Sequence, residues 1–263
     1  MKLNDRDLQA LCDIAERAGA AIMEVYAGAH AHWTKDDASP LTEADVRADA
    51  IIRAALEAAF SGVPILSEES RDRGAGDARS LFLVDPLDGT KEFLNRNGEF
   101  TVNIARIEDG RPAVGVVFAP AAGELFYAGA GLGAWRRAQG ETVEIRTVLH
   151  AEGTPLRVIG SRSHGGAELE TWLATLTGPY SFVAAGSSLK ICRVAEGAAD
   201  LYPRFGLTSQ WDTAAAQCVL EQAGGVMTGM DREPLHYGMG RPILNPWFAA
   251  AGDARLLPLL PAP

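Results

Sequence analysis

The sequence predicts an α/β (α+β) protein whose two halves share a cleft. The apolar run Leu81-Phe82-Leu83-Val84 reads as a strand buried on both faces, and it ends abruptly in Asp85-Pro86-Leu87-Asp88-Gly89-Thr90. From Thr101 to Arg136, four strand-like runs follow one another with turn signals between them, which marks an antiparallel meander. Beyond about residue 155, strands alternate with helical stretches, the pattern of a smaller α/β half. We set the halves at residues 1–152 and 153–263. A chain of 263 residues is large for one core and small for two independent ones.

Asn4 can cap a helix with Asp5 and Asp7 in its first turn, and Leu8, Leu11, Ala15, Ala18, Ile22 and Val25 repeat at helical spacing to about Tyr26. His30 to Ser39 is polar and irregular, and Pro40 ends it. His30 and His32 read as solvated, with no third ligand nearby, and the loop with Lys35 and Asp36 suits a lid. Thr42-Glu43-Ala44-Asp45 is a capping signal for a helix over 43–60, with Val46, Ala50, Ala54 and Leu56 as its apolar side. Strand 64–66 ends in Ser67-Glu68-Glu69-Ser70. Pro86 should turn the chain at the end of strand 81–84, and Lys91 to Leu94 should add one helical turn.

The meander strands are 101–107, 112–119, 124–127 and 134–136. Gly129 to Gly133 superficially resembles a dinucleotide-binding loop, but no helix opens after it, so a Rossmann site is excluded. Strands 156–159, 181–184 and 200–202 lead into polar turns carrying Arg162 and His164, Lys190, and Arg204. Helices follow at 167–176 and from the Lys190 turn through Glu196. Trp211-Asp212-Thr213 opens a helix to Ala223 closed by Gly224-Gly225, and 248–251 is a last strand.

A net charge of −10 argues against a nucleic-acid surface, and an anionic substrate would need cations in the site. No apolar run is long enough to span a bilayer, and no basic-then-apolar leader follows Met1. Cys12, Cys192 and Cys218 are scattered within helical apolar patterns, so we expect small core residues in a reducing cytoplasm.

The chemistry lies in the acids. Asp85, Asp88, the Leu87 carbonyl and the Thr90 hydroxyl leave one turn and form a hard-oxygen cluster that suits Mg2+. Glu68 and Asp212 end or begin other elements, and Asp45 lies near another, where a helix-start charge is the local alternative. Two carboxylates about 5 Å apart repel by roughly 3 kcal/mol at an effective dielectric of about 20. A nest of them therefore needs protons or divalent cations. Oxygen ligands without His or Cys point to Mg2+ over zinc, and two or more such ions sharing carboxylates suggest in-line phosphoryl transfer to water.

Ser67-Glu68-Glu69-Ser70, Asp85-Pro86-Leu87-Asp88-Gly89-Thr90 and Trp211-Asp212-Thr213-Ala214-Ala215, with Asp45 upstream, resemble the metal motifs of the inositol monophosphatase superfamily. Lys91-Glu92-Phe93, Asn97 to Asn103, Gly186-Ser187-Ser188-Leu189-Lys190 and Leu201-Tyr202-Pro203-Arg204 resemble its CysQ-type branch, the 3′(2′),5′-bisphosphate nucleotidases. The resemblance implies a layered α/β/α/β/α sandwich of the inositol monophosphatase and fructose-1,6-bisphosphatase type. It implies a lithium-sensitive phosphatase with two or three Mg2+ per site, taking the 3′-phosphate from adenosine 3′,5′-bisphosphate, and acting also on the sulfated parent nucleotide, in sulfate assimilation. Glu68, Asp85 and the Leu87 carbonyl would hold one ion, and Asp85, Asp88 and Asp212 another. Thr90 and Asp45 would orient and deprotonate the water, with Glu68 beside them, and the Gly89 and Thr90 amides would grip the phosphate. Lys190 and Arg204 would meet the second phosphate or the nucleoside.

The alternatives are an inositol-1-phosphate, histidinol-phosphate or sugar-bisphosphate phosphatase on the same fold, and a nucleotide-binding regulatory protein without turnover. As partners we expect a small phosphorylated nucleotide and no nucleic acid. We expect a cytoplasmic monomer or homodimer without a transmembrane segment, and peripheral inner-membrane attachment is compatible with this.

Overall fold

The computed structural model describes residues 4–28, 32–34, 40–69, 78–161 and 166–261. Helix α1 (Asp5–Ala27) starts at Asn4, whose Oδ1 accepts from the Arg6 and Asp7 amides at 2.9 and 3.2 Å, while Asp7 answers in a capping box. Its expected apolar positions are all buried. Strands β1 (His32–Thr34) and β2 (Pro40–Thr42) pair antiparallel, where the sequence suggested irregular chain. Pro40 ends that stretch by opening β2, a position that does not require its missing N–H. His30, Lys35 and Asp36, on which the lid expectation falls, lie outside the described residues.

Helix α2 (Glu43–Ala59) has the expected capping box, formed by Thr42 and Asp45. Its inner face differs from the expected one. Ala44, Ala48, Ile52 and Leu56 are buried, whereas Val46, Ala50 and Ala54 point outward. The i, i+4 stripe that packs brings Asp45 and Asp49 inward with it. Both acids find donors, Asp45 from Thr42 and Asp49 from the Ser67 hydroxyl at 2.5 Å, so their burial is tolerable.

The first large sheet holds β3 (Ile65–Ser67), β4 (Ser80–Asp88), β5 (Thr101–Glu108), β6 (Arg111–Ala119), β7 (Glu124–Gly129), β8 (Gly133–Ala138) and β9 (Glu141–Glu144), adjacent in that order. Only β3 and β4 are parallel; the rest form the expected meander, to which β9 adds an unanticipated, exposed strand. Asp109 and Gly110, both at positive φ, make the tight β5–β6 turn.

Pro86 does not turn the chain as expected. Strand β4 runs on through Pro86 to Asp88, and between the pairs Asp85↔Asn103 and Asp88↔Thr101 it spends one residue more than β5. A bulge accommodates a residue that cannot donate to the ladder and re-aims the side chains around it. Gly89 (φ 92) then leads into α3 (Thr90–Leu94).

The second sheet is ordered β11 (Tyr180–Ala185), β10 (Leu156–Ser161), β12 (Leu201–Arg204), β14 (Phe248–Ala251), β13 (Val226–Gly229). Strand β10 is parallel to β11 and β12, and the β14 pairs are antiparallel; β13 was not foreseen. Helices α4 (Gly166–Leu173), α5 (Leu189–Ala195) and α6 (Gln210–Gln222) complete the fold, with a 3-10 turn at Ala254–Leu259.

Side-chain alternation on β4 to β7 sorts the core. Phe82, Val84, Ile104 and Val116 pack with α1 and α2, while Leu83, Ala105, Val117 and Phe126 face α5, α6 and the second sheet. On the far side of the second sheet, Val158, Leu201 and Ala249 pack with Leu169, Trp172 and Leu256. The layers are therefore α/β/α/β/α, with α5 and α6 in the middle. The three cysteines are free and buried in α1, α5 and α6, and burial pushes the Cys12 thiol up to about 12. No helix among the described residues is long and apolar enough to cross a membrane.

Candidate active site

The ends of β3 and β4 and the first turns of α5 and α6 surround a cavity of about 320 Å3. Glu68, Asp85, Leu87, Asp88, Gly89, Thr90, Lys190, Arg204 and Asp212 all line it. Strand β3 delivers Glu68 and the bulge of β4 delivers Asp85 and Asp88. Asp212 is the third residue of a Ser209 capping box: its Oδ2 accepts the Ser209 amide at 2.8 Å, which fixes the carboxylate at the helix start. Asp45 is not part of the wall. It is buried, with Oδ2 accepting the Thr42 amide at 2.7 Å and the Thr42 hydroxyl at 2.5 Å. It therefore has the local capping role, and its charge still reaches Asp85. Arg162 and His164 lie outside the described residues.

One oxygen from each of Glu68, Asp85 and Asp212 lies within 4.8 Å of the others. Residues 68, 85 and 212 thus meet although the chain separates them widely. Burial first, then the charges of Glu68, Asp88 and Asp212, holds the Asp85 carboxyl well above the usual carboxylate range. Burial and the charge of Asp88 push Asp212 up to about 8. Asp88 stands beside this trio; burial raises its carboxyl too, opposed by Lys190 and by hydrogen bonds from Ser188 and Asn103. These acids resist being ionised together without added positive charge. The donor set is all oxygen and close-set, with Asp85 buried and Glu68 and Asp212 half-buried, which fits a hard divalent cation.

Local hydrogen bonds shape the turn after β4. The Leu87 amide donates to Asp85 Oδ1 at 3.1 Å, and the Thr90 hydroxyl donates to the Leu87 carbonyl at 3.3 Å. Two buried cations, Lys190 and Arg204, line the same cavity. Lys190 donates to the Ser187 carbonyl and sits 5.5 Å from the centre of the Tyr202 ring. Burial brings its ammonium down to about 8, although Asp88 pulls the other way. Arg204 Nη2 donates to the Leu207 carbonyl at 3.0 Å, and its buried Nε has no hydrogen-bond partner among the described residues. A cluster of acids sharing a cavity with two desolvated cations can hold both a metal and an anion.

The family model of the inositol monophosphatase family matches residues 3–260. The chain belongs to the inositol monophosphatase family. Among its relatives in that family, the 3′(2′),5′-bisphosphate nucleotidase CysQ of Salmonella typhimurium is 44% identical over 247 residues, 92% of this chain and 98% of the relative. The Haemophilus influenzae protein of the same name is 32% identical over 257 residues, 96% of this chain and 95% of the relative. Among solved members, CysQ from Bacteroides thetaiotaomicron superposes with a TM-score of 0.79 at 38% identity, covering 94% of this chain and 97% of that one. The layered inositol monophosphatase fold expected from the motifs is the fold observed.

The CysQ-like motifs contain Thr101, Asn103, Ser188 and Tyr202, but sequence reasoning gave them no role; the first three surround Asp88, and Tyr202 adds to the cavity wall with Phe248, which was read only as part of a last strand. Ser188 and Asp88 are separated by 100 positions, and no local pattern reports such a contact.

Proposed function

We propose that this chain is a Mg2+-dependent phosphatase that hydrolyses the 3′-phosphate of adenosine 3′,5′-bisphosphate to AMP and phosphate, and that it accepts the sulfated parent nucleotide in sulfate assimilation. The observation that carries the reading is the meeting of Glu68, Asp85 and Asp212 in a cavity that Lys190 and Arg204 also line. The names of the relatives support the substrate class.

Glu68, Asp85, Asp88, Asp212 and the Leu87 carbonyl are the groups that would hold two or three Mg2+. When bound, such ions polarise the phosphoryl oxygens and favour a nucleophilic water at neutral pH. The chain's own groups do the rest. Thr90 presents a hydroxyl at the wall to orient the attacking water. Asp45, held by Thr42 behind the wall, acts on the site through its charge at Asp85. The Gly89 and Thr90 amides hold the transferred phosphate, and Lys190 and Arg204 hold the second one, where desolvation strengthens each charge-assisted contact.

The test is phosphate release from adenosine 3′,5′-bisphosphate, inositol 1-phosphate, histidinol phosphate and a sugar bisphosphate, with and without Mg2+ and with added lithium. We expect the bisphosphonucleotide to be preferred, with release dependent on Mg2+ and inhibited by lithium. Preference for inositol 1-phosphate would overturn the substrate. Nucleotide binding by calorimetry without any phosphate release would overturn the enzyme.

A further inference from the structure

Ser188 begins α5, yet its side chain makes no cap hydrogen bond to its own helix. It is buried and reaches instead into the first sheet. Its hydroxyl donates to Asn103 Oδ1 at 2.8 Å and lies 2.9 Å from the Thr101 hydroxyl. Its backbone amide donates to Asp88 Oδ2 at 2.6 Å. The same Oδ2 accepts from Asn103 Nδ2 at 3.2 Å and from the Thr101 hydroxyl at 3.4 Å. Every one of these bonds falls on Oδ2, so Oδ1 is the oxygen left for the cavity that Asp88 lines.

The amide of Asn103 can face Asp88 in either of two ways. With Nδ2 toward the carboxylate it donates; flipped, it sets a carbonyl oxygen against a negative charge. The acceptor-only carboxylate of Asp88 selects the first arrangement, and the Ser188 hydroxyl, donating to Oδ1, braces it from the other side. Lys190 lies on the same first turn of α5, so the segment that carries the cation also fixes the acid.

We propose that Ser188 is a positioning residue for divalent-cation binding. It acts through Asn103 to hold Asp88 by one oxygen and present the other, and it links the cation site to the anion side of the cavity. This rests on the reading of Asp88 as a metal ligand. Orienting groups behind metal ligands typically contribute about 10–100-fold in metal affinity. Linkage is reciprocal: inorganic phosphate held at the Lys190 turn should tighten Mg2+ binding, and Mg2+ should tighten phosphate binding by the same factor.

The experiment is a calorimetric Mg2+ titration, with and without inorganic phosphate, of the wild type, Ser188→Ala, Asn103→Ala and the double variant. Ser188→Ala should bind Mg2+ about 10–100-fold more weakly and lose most of the enhancement by phosphate. In the Asn103→Ala background it should add little, because its route through Asn103 is gone and only the contact with Thr101 remains. Its half-maximal Mg2+ for phosphate release should rise by the same factor, with kcat at saturating Mg2+ changing far less. If Ser188→Ala fails to fold, Ser188→Cys, of similar size but a poor donor, should show an intermediate loss. A Ser188→Ala or Ser188→Cys protein that melts earlier but binds Mg2+ as the wild type does would make Ser188 merely structural and overturn the proposal. A wild type that takes up no Mg2+ would instead sink the metal-dependent reading on which it stands.

Discussion

Replacing Gly115 by alanine tests whether the sheet sets the position of Asp212. Gly115 lies in β6 under α6, and a Cβ there would stand 2.1 Å from the Ala215 carbonyl oxygen and 2.8 Å from Cys218 Cβ. The first of these neighbours is backbone and cannot swing away. Restoring ordinary contact requires α6 and β6 to part by about 1 Å, well beyond the roughly 0.5 Å that a preorganised site tolerates. Overpacking of this kind costs about 1–3 kcal/mol, and a backbone clash belongs at the upper end. At about 2–4 °C per kcal/mol, Tm should fall by roughly 6–12 °C. Since α6 also carries Asp212, the rise in Tm produced by Mg2+ should shrink with it. Thermal melts with and without Mg2+ measure both quantities. Gly178→Ala, where the new Cβ meets nothing within 4 Å, is the control and should melt as the wild type does. A Gly115→Ala protein with unchanged Tm and an undiminished Mg2+ increment would refute the reasoning.

Three further outcomes follow from the site. Asp212, near 3.8 when unfolded and about 8 when folded, binds a proton in the native metal-free protein that the unfolded chain has released. Stability in chelator should therefore fall as pH rises from about 4 to about 8 and level off above, and Mg2+ should remove the fall; denaturant titrations across that range that rise or stay flat would contradict it. Asp88→Asn should lower turnover at least about a hundredfold with near-UV and far-UV dichroism preserved, and unimpaired phosphate release would count against its role. Lys190→Met and Arg204→Met should each raise KM for the bisphosphonucleotide while sparing the corresponding 3′-monophosphate; equal losses on both substrates would remove these residues from the second-phosphate subsite.

Most of the fold was legible because its elements carry local punctuation. The α1 stripe, the buried run Leu81–Val84, the Asp109-Gly110 turn and the start of α6 each announce themselves within a few residues. Glu68, Asp88 and Asp212 stood out because each sits where an element begins or ends, and Asp85 because the proline of the bulge follows it. Local signals were insufficient where tertiary packing decided. Pro86 reads as a stop, but pairing with β5 on both sides carries the strand across it as a bulge. The apolar side of α2 was misread because burial of Asp45 and Asp49 depends on Thr42 and on Ser67, the latter 18 residues from Asp49. The groups holding Asp88 come from β5 and from a turn 100 residues away, and only the folded chain introduces them to one another.

Helix α6 belongs by chain order to the second sheet, lying between β12 and β13, yet its buried face is pressed onto the first. A protease that cut the segment joining the sheets, near residue 150, would sever one covalent link and leave the fragments gripping each other. The nicked protein should co-elute as one species and retain its carboxylate cluster, much as a clasped buckle survives a cut strap.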